Sequence, residues 1–379
     1  SVQVFDRQLP GEGASTRNGG LASGNIKMSF RQMTEKFGLK HAKAVYLEGK
    51  IARQMLSDFI HAESLDCDFK LTGRFIGAFK PEHFEAQARE ADFINKHLGV
   101  GAYMISREDQ HNEIETDLYF GGMLRPDLGG LHPAKFHASL LALAENAGVS
   151  IFGNCPITHM SSGKRGFEVK TNLGKVVAEN IIVSTNGYTD SFDKWLRRRL
   201  VPVTSRLVAT EPLPKKIISR LMPKGRMFGE TRTLFHYFRQ SPDGTRILMG
   251  GNEGGNSGDP NKDSAKLKNY ISQVFPALPK VNISHYWTGN VAFNMDFRPR
   301  LFSQKGITYA TGFCGSGVVW AWWLGQKAAN KLLENNERET AFDGPPPGAI
   351  PFYNGNPWFM PATMLWFKIQ DYLGSTSKK

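Results

Sequence analysis

Pro10-Gly11-Glu12-Gly13-Ala14-Ser15-Thr16-Arg17-Asn18-Gly19-Gly20 follows the short alternating segment Val2-Gln3-Val4-Phe5-Asp6-Arg7. Val2 and Val4 alternate with polar neighbours, so the segment reads as a strand closed by an acid. Small residues in the loop let backbone N–H groups approach a phosphate closely, while Arg17 adds charge and Asn18 a fork of donor and acceptor. In a dinucleotide fold, an acid ending the second strand accepts hydrogen bonds from the adenosine ribose hydroxyls. Asp6 and the loop therefore read together as half of a nucleotide site. Taken singly, each also fits a surface turn.

A second cluster lies near the other end, at Gly312-Phe313-Cys314-Gly315-Ser316-Gly317-Val318-Val319. It sits between a buried-strand pattern, Ile307-Thr308-Tyr309-Ala310-Thr311, and a helix pattern reaching about Asn335. Strand, glycine loop and helix make an anion-binding helix N-terminus. A flavin suits this place, because the reduced ring carries negative charge near its N1–C2=O edge. A tight turn without ligand fits the same residues.

Between the two clusters, apolar spacing predicts helices over 35–62, 81–98, 134–147 and 264–275. Strands are expected at 149–152, 180–185, 201–211, 231–239, 245–251 and 281–292, with hairpins over 67–78 and 167–178. Parallel-type strands at the start, middle and end, with antiparallel material between, imply an α/β fold. One discontinuous nucleotide domain (1–40, 126–200 and 290–345) is threaded through an α+β substrate domain with an antiparallel sheet (41–125 and 201–289). Pro345-Pro346-Pro347 precedes an aromatic tail, 346–379, read as a helix docked on the protein's own surface or on a second subunit. A homo-oligomer is thereby left open.

The chain's 379 residues suffice for two packed units. Cys67, Cys155 and Cys314 are far apart, odd in number and without a CxxC pair. That excludes a disulfide framework and a structural zinc site, leaves no metal to expect, and points to a reducing, cytoplasmic compartment. The net charge of +12 comes with no RRM, zinc-finger or helix-turn-helix signature, so it reads as a basic surface and not as a nucleic-acid site. The run Lys194-Trp195-Leu196-Arg197-Arg198-Arg199 is taken as a solvated connector. No apolar run is long enough for a membrane span, and residues 1–30 carry no signal-peptide pattern.

With Asp6, the segment Gly13-Ala14-Ser15-Thr16-Arg17-Asn18-Gly19-Gly20 is similar to the Gly-Ala-Ser-x-Arg-Asn-Gly-Gly stretch of D-amino-acid-oxidase-like flavoproteins. More narrowly, the chain resembles their gamma-glutamylputrescine oxidoreductase branch. Tyr119-Phe120-Gly121-Gly122, Leu131-His132-Pro133, Ser184-Thr185-Asn186-Gly187-Tyr188, Ala209-Thr210-Glu211-Pro212-Leu213, Gly250-Gly251 and Trp287-Thr288-Gly289 match in order and spacing. The resemblance runs from Ser1 to the tail. It implies that FAD is the cofactor and that Asp6, with Arg7 beside it, meets the adenosine ribose. Ser15, Arg17, Asn18, Gly19 and Gly20 would line the diphosphate and flavin. Ile157 would meet the adenine through its backbone, and Asn186 and Gly187 would close over the cofactor. Gly312, Gly315, Ser316, Gly317 and Val318 would hold the pyrimidine edge.

Two departures accompany the match. Relatives commonly carry Ser-Gly-His-Gly where this chain has Cys314-Gly315-Ser316-Gly317, so no role for that histidine is carried over. The family's first strand and GxGxxG loop are absent from residues 1–379; they are expected ahead of Ser1, in a segment of roughly 30 residues.

The implied reaction oxidises the C–N bond of a small amine or amino acid by hydride transfer to flavin N5, with hydrolysis of the imine. Oxygen or an unknown acceptor takes the electrons. Catalytic candidates are His236 and Tyr237 on a strand near the ring face, and Asp296 and Arg298 at the return to the flavin domain. An aspartate can receive an ammonium and an arginine a carboxylate. The plain alternatives are a core histidine and a local turn. Trp287, Trp320, Trp322 and Trp323 wall a pocket or fill the core. Two other functions are kept: a flavoprotein-like chain that has lost FAD and serves as a non-catalytic partner, and a basic adaptor for nucleic acid or membrane.

Overall fold

In the computed structural model of the chain, which describes residues 1–164, 166–251, 258–335, 337 and 339–373, glycines and prolines punctuate the fold. β1 (Gln3–Phe5) leads to the short α1 (Ala14–Arg17) and β2 (Leu21–Ala22). Ser29 opens α2 (Phe30–Phe37) with a capping box: its hydroxyl accepts from the Gln32 N–H, and the Gln32 side chain accepts from the Ser29 N–H. Gly38, at φ +82°, ends α2 and starts α3 (Leu39–Ala62), so the single helix expected over 35–62 is two. β3 (Arg74–Gly77), α4 (Pro81–Leu98), β4 (Tyr103–Ile105), β5 (Gly122–Arg125), β6 (Gly129–Gly130) and α5 (Pro133–Asn146) follow. Proline in the first turn of α4 and α5 costs no hydrogen bond there.

β7 (Ser150–Phe152) precedes an antiparallel meander of β8 (Ile157–Gly163), β9 (Gly166–Thr171) and β10 (Lys175–Ala178). Then come β11 (Ile181–Val183), α6 (Lys194–Arg197), β12 (Val201–Thr210), α7 (Lys215–Leu221), β13 (Met227–Glu230), β14 (His236–Gln240), β15 (Ile247–Gly251) and α8 (Pro260–Val274). β16 (Ile283–Phe293), β17 (Arg300–Gln304), β18 (Ile307–Thr311), α9 (Gly317–Leu332) and α10 (Met360–Leu373) complete the described chain.

Eight strands form one mixed sheet in the order β16-β12-β15-β14-β13-β3-β5-β4. Every neighbouring pair is antiparallel except β3 with β13, which is parallel. The expected hairpin over 67–78 is therefore a single strand, Arg74–Gly77, paired with β13 on one side and β5 on the other. The strand expected over 231–239 is interrupted: residues 231–235 form the turn between β13 and β14. One face of this sheet packs on α7 and α8 through Phe75, Phe228, Phe238, Met249, Leu267, Ile271 and Phe275, all buried.

Two further parallel pairs lie outside this sheet, β1 with β7 and β11 with β18, the latter extended antiparallel by β17. A second core joins α3 to α9 through Val45, Ala52, Leu56, Trp320, Trp323 and Leu324. Trp320 and Trp323 thus serve as core. The tail helix α10 docks by burying Met364. The Asp371 carboxylate accepts from the N–H groups of Thr233 and Leu234 at 2.7 and 3.0 Å, and the Lys80 ammonium donates to the Asp371 and Tyr372 carbonyls. Among the described residues no helix is long and apolar enough to cross a membrane.

Candidate functional site

The loop between β1 and β2 folds on its own polar groups. Asn18 Nδ2 donates to the Ala14 and Ser15 carbonyls, both at 3.0 Å, and its Oδ1 accepts from the Gly20 N–H at 2.8 Å. Asn18 therefore shapes the loop, leaving the backbone to meet a ligand. Gly20 has φ +72°, and a Cβ there would stand 2.1 Å from the Leu131 carbonyl oxygen, so only glycine fits. Arg17 donates to the Thr288 carbonyl at 3.4 Å, and the Trp287 indole donates to the Arg17 carbonyl at 3.0 Å. Ser15 is exposed. Gly19 lies over the ring of Tyr237, whose Cε2 would be 2.7 Å from a Cβ at that glycine.

At the end of β1, the Asp6 carboxylate accepts from the Gln8 N–H at 2.9 Å, and the Asp6 carbonyl from the Cys155 N–H at 2.8 Å. That contact sets the Cys155-Pro156-Ile157 segment beside Asp6. Arg7 forms an ion pair with Asp190 at 2.7 Å, joining the end of β1 to the turn after β11. A cavity of about 200 Å³ lies there, lined by Arg7, Asn186, Gly187, Asp190, Arg197 and Asn290 among others.

Asn186, at φ +45°, reaches across to the second glycine cluster. Its Oδ1 accepts from the Gly312 N–H at 2.9 Å and the Thr311 hydroxyl at 3.3 Å. Gly312 and Gly315 have φ of +73° and +102°. A Cβ on Gly315 would meet no atom within 4 Å, and Ser316 opens α9 without a side-chain cap. The first N–H groups of α9, from Gly317 and Val318, thus have no side-chain cap. Such an uncapped positive end suits an anionic ring edge or phosphate. Burial pushes the Cys314 thiol up to about 12, so it stays neutral.

Strand alternation separates the first pair of catalytic candidates. Tyr237 faces Gly19 and Gly250, and its hydroxyl lies 3.0 Å from the Ser205 hydroxyl. His236 turns to the opposite face and is buried, stacked on Tyr270 with ring centres 3.7 Å apart. There Glu230 accepts from the His236 N–H at 2.9 Å, from Arg232 Nη2 at 2.6 Å, and from the hydroxyls of Tyr119 and Tyr270. Burial alone would raise the Glu230 carboxyl, but the His236 hydrogen bond and the Arg232 charge outweigh it and hold it below its ordinary 4.5. This network has no sequence signature, because Tyr119, the stretch from Glu230 to His236, and Tyr270 lie on three separate segments.

Asp296 and Arg298 are brought together, 3.2 Å apart, and Asp296 also contacts Arg300. Arg298 Nη1 donates to His41 Nε2 at 2.8 Å, and the guanidinium covers the Phe37 ring at 4.2 Å. Asn294 connects this turn to the glycine cluster: its Nδ2 donates to the Arg298 carbonyl at 2.7 Å, and a Cβ on Gly312 would be 2.5 Å from that nitrogen. Two further cations escaped the sequence reading. Lys27 follows a Ser-Gly-Asn-Ile stretch with no motif around it, and Arg74 stands on an apolar strand.

The residues present fit FAD. Two glycine clusters with backbone approach, an acid after a strand and an uncapped helix end are the features a dinucleotide flavin needs, and the Asn186–Gly312 hydrogen bond holds two of these segments together.

The family model for FAD dependent oxidoreductases matches residues 1–331. The chain is 26% identical over 351 residues to a probable oxidoreductase, OrdL, of Haemophilus influenzae, covering 90% of this chain and 80% of that protein. It is 24% identical over 382 residues to gamma-glutamylputrescine oxidoreductase of Escherichia coli, covering 98% and 88%. Among solved structures, glycine oxidase from Geobacillus kaustophilus superposes with a TM-score of 0.73 at 16% identity, covering 93% of this chain and 92% of that one. Iminodiacetate oxidase from Chelativorans sp. BNC1 gives 0.71 at 15% identity, covering 91% and 93%. A mixed α/β fold, two glycine clusters and a family match over 331 residues lead to one statement: the chain belongs to the FAD-dependent oxidoreductase family.

Proposed function

We propose that the protein oxidises the C–N bond of a small amine or amino acid. Bound FAD would supply the two-electron acceptor, taking hydride from the amine-bearing carbon at N5, after which water hydrolyses the imine to carbonyl and ammonia. The chain's own part is to hold, orient and exclude water. The open N-terminus of α9 favours negative charge at the ring edge, and Asn186 keeps that terminus in register with the turn after β11. Tyr237 presents its ring and hydroxyl to the Gly19 side of the sheet. Arg298, stacked on Phe37 and paired with Asp296, is a pre-oriented donor for a carboxylate at the junction. His236 acts as a buried positioning residue through Glu230.

The observation that carries this reading is the uncapped end of α9, open above Gly315 and tied by Asn186 to the turn after β11. Purified protein offered FAD should become yellow and bleach under an amine in the absence of oxygen. A folded protein that takes up no flavin supports instead the non-catalytic partner role. Repeating the bleaching with and without oxygen distinguishes an oxidase from a dehydrogenase.

Segments 1–40, 126–200 and 290–345 are assigned to the FAD-binding part, and 41–125 and 201–289 to the substrate part. In support, the parallel pairs β1/β7 and β11/β18 all fall in the first set, and the eight-stranded sheet falls in the second except for the end of β16. The shared core of α3 and α9 argues for moving α3 into the first set. β1 and β11 each have an unpaired edge among the described residues, and Val4 and Ile182 are 44% and 41% exposed on them. A second copy of the chain is the proposed cover for Leu365, Trp366, Ile369 and Tyr372, exposed on the outer face of α10.

A further inference from the structure

The tail helix α10 turns its polar residues inward and its apolar ones outward. Thr363, Gln370 and Asp371 are half-buried, while Leu365, Trp366, Ile369, Tyr372 and Leu373 are exposed. Met364 alone of its 14 residues is buried. The N-terminal end rests through Phe359 and Met360 on Val201, Ile350 and Tyr353. The C-terminal end is held by polar contacts. The Asp371 carboxylate accepts from the Thr233 and Leu234 N–H groups at 2.7 and 3.0 Å, and the Lys80 ammonium donates to the Asp371 and Tyr372 carbonyls at 3.1 and 3.3 Å. A helix of this length is marginal alone in water, so its order depends on what covers the outer face.

The inner contacts reach towards the cofactor loops. Thr233 and Leu234 lie in the five-residue turn 231–235 between β13 and β14. Other elements hold the start of that turn: the Thr231 hydroxyl accepts from the Phe79 N–H at 3.0 Å and lies 2.6 Å from His83 Nδ1, and Arg232 binds Glu230 at 2.6 Å. The next two N–H groups are left to Asp371. The chain then delivers Phe235 and Tyr237, with ring centres 6.3 Å apart, and Tyr237 is the ring that faces Gly19.

The outer face has the size and the spacing that suit a partner helix. Phe352 and Trp358, near the N-terminal end of α10, and Trp366 and Tyr372 on it are 92%, 64%, 57% and 87% exposed. At about 200 Å² a ring they present about 600 Å². That is the upper end for a patch on a monomer, about 300–600 Å². Leu365, Ile369 and Leu373 extend it towards the about 800 Å² that each partner buries in a stable dimer. Ala362, Leu365, Ile369 and Tyr372 recur at intervals of three, four and three, the spacing of a coiled-coil seam. In an antiparallel pair with its two-fold axis at residue 367, Leu365 meets Ile369 of the second copy, and Ala362 meets Tyr372. The largest side chain of the seam thus faces the smallest. A lipid surface calls for a basic flank, and α10 has one basic residue, Lys368.

We infer that α10 couples assembly to the site: it packs antiparallel on α10 of a second copy, and the helix so steadied holds, through Asp371, the turn that leads to Tyr237. Asp371 is a positioning residue, acting through the turn. The consequence for the substrate rests on the amine-oxidation reading above, whereas the assembly and the order of the turn do not.

The test uses the full chain supplied with FAD and two variants, Ile369→Lys in the seam and Asp371→Ala at the turn, each checked for wild-type circular dichroism. Sedimentation over a range of concentrations reports the assembly, and hydrogen exchange reports the order of residues 231–235. Wild type should be a dimer and Ile369→Lys a monomer. Both substitutions should speed exchange of the Thr233 and Leu234 amides about tenfold or more, the scale of a hydrogen bond to a charged acceptor. KM for an amine should rise in both while FAD affinity stays as in wild type, a split that a general loss of fold does not produce. A monomeric wild type overturns the inference, and one that binds anionic vesicles assigns the face to lipid instead. A dimeric Ile369→Lys overturns it by placing the interface elsewhere. So does a monomeric Ile369→Lys whose turn amides exchange at the wild-type rate. Bound flavin that no amine reduces refutes the oxidation reading alone, and sedimentation with exchange still decides the coupling.

Discussion

Asn186 offers the sharpest test of how the cofactor site is held. Its Oδ1 is the acceptor for the buried N–H of Gly312, at 2.9 Å, and its backbone sits at φ +45°. Two costs can therefore be separated. Asn186→Gly keeps the left-handed backbone and removes only the acceptor. An unsatisfied buried N–H costs about 1–3 kcal/mol. The free protein escapes this by loosening residues 312–316, and FAD must then reimpose the order on binding. The loss should appear as a weakening of FAD affinity of about 5- to 150-fold. Asn186→Ala adds the strain of a Cβ at positive φ, about 1–2 kcal/mol more. Asn186→Asp retains an acceptor and should lie closest to wild type. Titration of apoprotein with FAD, followed by quenching of flavin fluorescence, measures all three. The expected order of affinity is wild type, Asp, Gly, Ala. Alanine milder than glycine would refute the backbone argument, and a glycine variant within about twofold of wild type would refute the hydrogen-bond argument.

Other consequences follow from the same geometry. Gly20→Ala forces a Cβ to 2.1 Å from the Leu131 carbonyl at φ +72°, whereas Gly244→Ala at φ +69° meets open space; thermal unfolding should show a loss of about 2 kcal/mol or more for the first and about 1 for the second. Glu230→Ala should destabilise by about 3–5 kcal/mol, since it strands Arg232 and two tyrosine hydroxyls, and an effect below about 1 kcal/mol in denaturant unfolding would contradict the network. Because the Glu230 carboxyl is held below its ordinary 4.5, its contribution is complete above that value and disappears as pH falls through the lower folded one. Wild type should therefore lose stability in acid more steeply than Glu230→Gln, and parallel melting curves would count against this. Cys67, Cys155 and Cys314 are all free and buried, so a thiol–disulfide exchange reagent should label none of them in native protein and all of them once unfolded.

What was legible in the sequence was local. Glycine loops declare themselves because only glycine tolerates the backbone at Gly20, Gly312 and Gly315. α4 and α5 are announced by Pro81 and Pro133 at their first turns. Pairing partners were not legible. The segment 67–78 looked like a hairpin because alternation specifies a face and not a neighbour. Arg74–Gly77 instead pairs in parallel with Met227–Glu230, about 150 residues away. The break at residues 231–235 was equally hidden, since it depends on Asp371 of the tail capping two backbone N–H groups from a distant helix.

The catalytic candidates show the same limit in its strictest form. His236 and Tyr237 are adjacent, and a half-buried strand must send them to opposite faces. Nothing in the alternation says which face meets the flavin loop. That is decided by the absence of side chains elsewhere: Gly19 and Gly250 open room for the Tyr237 ring, while Tyr270 on α8 closes over His236. A polar residue chosen for its chemistry alone was as apt to land in the core as in the site. What this chain leaves open around its glycine loops is therefore read from space left unfilled, at Gly19 and Gly250 above all, and it becomes visible only when strand faces are known.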